Sequence, residues 1–182
     1  MSQFHPTDPL LLAGKVVTIL MQFFMALGAL ALTIAIPLLL IFGGRIDAEL
    51  AKELGEAAGA FPLFPTIGLL FVGLAIVISV FIFFDKLRRI IGTVGEGDPF
   101  APVNADRLSM MAWLLLGVQI LMLPAAGLGL MLAKWADKVD HADVNIDAGL
   151  DLTGILMVLV LFILARVFRE GAAMREDLEG TV

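Results

Sequence analysis

Four long apolar stretches, separated by connectors rich in charge, glycine and proline, set the pattern of the chain. Between Lys15 and Arg45 lie 29 residues without an ionisable side chain, between Glu56 and Asp85 lie 28, and between Arg107 and Lys134 lie 26. Each exceeds the ~20 residues with which an α-helix crosses a hydrocarbon core of about 30 Å. The fourth stretch, Leu152 to Ala165, has 14, a length that also suits a buried or re-entrant segment. Asp151 and Arg166 bracket it where their side chains can snorkel to the headgroups, and Val167 and Phe168 prolong it, so it too reads as a span. The pattern predicts an all-α, polytopic membrane protein: one four-helix domain over 1–182, arranged as two hairpins. Its spans fall at 16–42, 65–84, 109–135 and 152–168, with a connector at 85–108, a tail at 169–182 and short amphipathic helical extensions.

The outer edges of the spans carry further detail. Trp113 and Trp135 are 22 residues apart, roughly 33 Å along a helix, and read as an aromatic belt with one ring at each interface. The first stretch is too long for the apolar region of a secretory signal and reads as a retained helix. Ile46, Leu50, Leu54 and Phe61 share a helical face that would lie on the outer leaflet or cover the bundle end, before Phe-Pro-Leu-Phe-Pro, residues 61–65, brings the chain back. Eight of the twelve Lys and Arg fall in 1–15, 85–107 and 166–182, and four in 45–56 and 134–151. The positive-inside rule then places both termini and the 85–107 connector in the cytoplasm, with an acidic outer face.

Composition agrees with the pattern and narrows the function. The chain is 60% apolar with a mean hydropathy of +0.99, against the roughly 45–50% of a soluble domain. A net charge of −6 gives no basic surface for nucleic acid. The absence of cysteine removes disulfides, thiolate metal sites and Cys nucleophiles together. Polar residues inside the spans are few, namely Gln22, Thr33, Ser79, Gln119 and Thr153, and no charge sits centrally in a span. Proton-coupled transport and voltage sensing usually require one. Gln22 and Gln119 read as glue between helices, and Ala31/Ala35, Ala75/Ser79 and Ala125/Gly129 as faces for close packing.

The connector GEGDPFAPVNADR, residues 95–107, is the most unusual stretch. Leu87, Ile90, Ile91 and Val94 recur at helical spacing, so the second helix should continue past its span until Gly95 and Gly97 stop it. Pro99 and Pro102 forbid further helix, and Asn104 followed by Asp106 suits an N-cap with a first-turn charge. The tail has a narrower apolar stripe at Val167, Gly171, Met174 and Leu178, which is expected to face Ile90, Ile91 and Val94. Its acids Glu170, Glu176, Asp177 and Glu179 are placed to meet Arg88 and Arg89.

IIGTVGEGDPFAPVNADRL and LARVFREGAAMREDLEGTV together resemble the bacterial four-helix membrane proteins of domain-of-unknown-function family 2975. The resemblance rests on Gly97, Asp98, Pro99 and Phe100, and on Phe168, Arg169, Glu170, Gly171, Asp177, Thr181 and Val182. It implies a multi-pass protein of the bacterial inner membrane and assigns no activity. Because members are often encoded beside a small helix-turn-helix regulator, it also implies a cytosolic regulator as partner. Asp98, Pro99, Phe100, Phe168, Arg169, Glu170, Gly171 and Asp177 are the candidate contact residues.

Other chemistry finds little support in the residues. Residues 140–151 evoke a calcium loop, but counting from Asp143 the sixth residue is Ala148 and the twelfth Gly154, where an EF-hand needs Gly and Glu. His141 lacks a second His at zinc spacing. No metal, cofactor or catalytic array is expected, and the chain reads as a non-enzymatic regulatory or interaction protein in contact with lipid. The alternative is a small channel or carrier, which requires a homo-oligomer because four apolar helices enclose no polar path.

Overall fold

The computed structural model describes residues 9–54, 59–140 and 151–179. It is 93% helical, with no strand among the described residues. Its four helices are α1 (Pro9–Leu54), α2 (Leu63–Gly95), α3 (Pro102–Asp140) and α4 (Leu152–Glu179). All four are long and apolar enough to cross a membrane, and the chain is a multi-pass, all-α membrane protein. The acidic segment 141–150 with His141, residues 55–58, and Thr181 and Val182 lie outside the described residues.

Each helix outruns the span read from sequence. Residues 46–54 do not form a separate surface helix; they complete α1. The fourth segment, short when judged by charge-free length, belongs to a continuous helix of 28 residues, about 42 Å long. Its start is fixed by Asp151, whose Oδ1 accepts from the Thr153 amide at 3.0 Å, as an N-cap does.

The helices contribute to two compact units, one drawn from 1–26, 78–118 and 151–182, the other from 27–77 and 119–150. The first unit has a core of Ile90, Leu108, Met111, Ala112, Leu161 and Ala165, edged by Phe83, Leu87, Val94, Leu115, Phe162 and Phe168. Ile91 packs instead against Gly14 of α1. The inward residues of α4, Val158, Leu161, Ala165 and Ala172, recur at helical spacing, and this stripe seats α4 against α2 and α3.

The second unit relies on close approach between helices. A Cβ at Gly43 would lie 2.7 Å from Leu63 Cδ1, and one at Gly68 would lie 3.1 Å from Leu128 Cδ1, the small-against-branched packing of helices in lipid. The Phe61 amide donates to Asp47 Oδ1 at 2.7 Å, and the Phe61 ring meets Trp135 edge-on at 5.5 Å. The two tryptophans therefore differ. Trp113 is 63% exposed, as a ring facing lipid should be, whereas the Trp135 indole N–H is enclosed.

Candidate functional site

The connector between α2 and α3 is a short, hydrogen-bonded turn within the first unit. Gly97 adopts a φ of 85°, a conformation that glycine takes at little steric cost. Its amide donates to Val94 O at 3.1 Å while the Asp98 amide donates to Thr93 O at 2.9 Å. These two bonds are the Schellman closure of a helix end. Pro102 is then the first residue of α3, where its missing N–H is one the helix would leave unpaired in any case.

Asn104 does not cap α3, as its sequence position suggested. It lies in the first turn and is completely buried. Its Nδ2 donates to Thr93 Oγ1 at 2.8 Å and to Pro99 O at 3.0 Å. Its Oδ1 accepts from Arg107 Nη1 at 3.0 Å, and the same nitrogen donates to Arg89 O at 3.1 Å. Thr93 in turn donates to Ile90 O at 2.9 Å. The result is a polar knot in which the amide satisfies both sides of the turn, as a buried polar group requires. Its outer members, Thr93 and Arg107, were not among the candidate residues.

The end of α4 closes over this turn. The Phe100 and Phe168 rings lie 5.3 Å apart and tilted by 42°. Phe100 also covers Gly171, where a Cβ would come within 2.7 Å of Cδ1 and 2.9 Å of Cε1. Arg169 pairs with Asp106 at 3.4 Å, and Arg175 with Asp98. Of the candidate residues, Phe100 therefore meets Phe168 and Gly171 directly, Asp98 and Arg169 pair with Arg175 and Asp106, and Pro99 enters through its carbonyl.

Two expectations change here. Arg88 and Arg89 both bond Asp85 on their own helix, so the ion pairs to the tail run the other way, from connector carboxylates to tail arginines. Met174 and Leu178 do not face Ile90, Ile91 and Val94. They are 63% and 71% exposed, while the inward residues of α4 are Val158, Leu161, Ala165 and Ala172, and Phe100 covers the tail stripe only at Gly171. Glu170 and Asp177 are exposed beside that stripe. The side chain of Glu179 lies outside the described residues.

A family model described as "protein of unknown function (DUF2975)" matches residues 17–182. The chain belongs to the DUF2975 family. Comparison with curated proteins and with solved structures finds no match. Turn, knot and clamp all fall inside the matched region of this DUF2975 protein. Among the described residues, no group of three or more His, Asp or Glu is placed to hold a metal.

Because the clamp holds the DUF2975 turn by ring packing more than by charge, its ion pairs can be tested separately. The Asp98 and Arg175 side chains are 44% and 51% exposed, and exposed pairs contribute about 0–1 kcal/mol. Asp98→Asn is thus expected to change stability by less than ~1 kcal/mol, with an unchanged tryptic pattern of the tail. Rapid tail cleavage in this variant would make the ion pair the main fastening.

Proposed function

We propose that this protein is a non-enzymatic, membrane-embedded regulatory protein that holds a soluble partner on the turn that Phe100 fastens to α4 and on the exposed face of α4. The carrying observation is the outward apolar pair Met174 and Leu178 on a helix end fixed to the turn by Phe100. Glu170, Met174, Asp177 and Leu178 fall at i, i+4, i+7 and i+8, which puts two carboxylates along one side of an apolar strip. The Lys and Arg distribution supports a cytoplasmic position for this surface and for both termini.

A small helix-turn-helix regulator is the partner that the family resemblance suggests, and its basic recognition helix suits an acidic, apolar strip. Holding that helix here would keep it from DNA. Thr18 and Thr33, two polar residues of α1, bond their own helix at Lys15 O and Ala29 O, which favours this reading over an oligomeric channel with a polar path.

The test is capture, by membrane-extracted protein, of a purified helix-turn-helix regulator taken from the neighbourhood of the gene. Met174→Ser with Leu178→Ser is expected to lower capture at least tenfold, since buried apolar anchors dominate interface energy. Asp177→Asn should weaken capture mainly at low salt. Equal capture by wild type and the double variant would remove this face as the docking site.

A further inference from the structure

Between α2 and α3, within the first unit, an open crevice of about 220 Å³ is walled by Val80, Phe84, Leu114 and Val118 among others, with Ser79 the one polar residue of its lining. It is smaller than the roughly 300–1,000 Å³ of sites for compact ligands, and its size suits a single hydrocarbon chain. Both helices carry cations a short way beyond it on the same faces. Arg88 is one turn past Phe84 on α2, and Arg107 two turns from Leu114 on α3.

At that end Lys86, Arg88, Arg89 and Arg107 stand with Asp85, which bonds both Arg88 and Arg89, while Asp98 and Asp106 of the turn pair with the tail's Arg175 and Arg169. Arg107 bonds the neutral Arg89 and Asn104 oxygens, so its charge stays uncompensated by these contacts. A guanidinium has enough donors to hold such bonds and a phosphate oxygen as well. Apolar lining next to the Arg107 guanidinium and to Arg88, which shares the one Asp85 carboxylate with Arg89, at the end of membrane-crossing helices, matches one molecule in both halves.

We propose that the crevice binds one acyl chain of an anionic phospholipid, with the lipid phosphate against Arg88 and Arg107. The chain fills a gap that would otherwise forfeit packing contacts. The headgroup supplies the negative charge that a zwitterionic lipid offsets with its own ammonium.

The experiment is native mass spectrometry of the full chain released from vesicles of equal phosphatidylglycerol and phosphatidylcholine with identical acyl chains. One phosphatidylglycerol per protein should be retained in preference to phosphatidylcholine. Arg88→Gln should weaken that retention about fivefold, the factor for one cation near an anionic surface, and leave phosphatidylcholine unchanged. Leu114→Trp fills the crevice and should abolish the preference; if it does not yield folded protein by helical circular dichroism, Val118→Phe serves in its place. Excess glycerol 3-phosphate should not displace the lipid. Equal retention of both lipids, full retention with the crevice filled, or displacement by glycerol 3-phosphate would each overturn the proposal.

Discussion

Replacing Asn104 by alanine is expected to destabilise the protein by about 2–4 kcal/mol, because a buried donor or acceptor left without its partner costs roughly 1–3 kcal/mol and several are orphaned at once. Thr93 Oγ1 and Pro99 O lose the amide donor, and Arg107 loses an acceptor. The void left by the amide lies where nothing is exposed to solvent that could replace it. Asn104→Asp separates the contributions, since it keeps an acceptor for Arg107 and removes both N–H donors. Thermal unfolding of the detergent-solubilised protein should rank wild type above both variants. An alanine variant that melts with wild type would mean that the backbone bonds of the turn suffice without the knot.

The second large effect is expected at Gly171. A leucine there drives its Cβ into the Phe100 ring, which a Cβ would approach to 2.7 Å; overpacking of this kind costs about 1–3 kcal/mol. The end of α4 should detach from the turn, and trypsin should cut at Arg169 and Arg175 much faster than in wild type. Combining Gly171→Leu with Phe100→Ala makes room for the new side chain, so the double variant should recover part of the loss, as two groups in direct contact do. Equal cleavage of single and double variants would place the disruption elsewhere, in helix α4 itself.

How much of this was legible in the sequence depends on the range of the interaction. Spans were readable because charge-free length is a property of the chain alone, and Gly97 was readable because its backbone demand is local. Asp151 at the end of the fourth stretch likewise marked the start of α4. Asn104 was misread because an Asn two residues after a proline near a helix start is equally suited to capping and to burial. Only the presence of Thr93 and the Pro99 carbonyl on the other side of the turn decides between them. Phe100, Phe168 and Gly171 were singled out as a group, but their mutual contact was not, since nothing in an Arg-Glu-Gly run announces that its glycine receives a ring from 71 residues earlier. For the same reason the exposure of Met174 and Leu178 was hidden.

The bonds around Asn104 also set an order of assembly. Those between α2 and α3 join residues 11 and 18 apart, Asn104 to Thr93 and Arg107 to Arg89. The fastenings of α4 join residues 63 and 77 apart, Arg169 to Asp106 and Arg175 to Asp98. Short loops close at lower entropic cost and sooner than long ones, so the polar closure of the α2–α3 hairpin is expected to precede the docking of α4. A chain cut before residue 151 should then keep the bonds around Asn104 while Phe100 loses its cover.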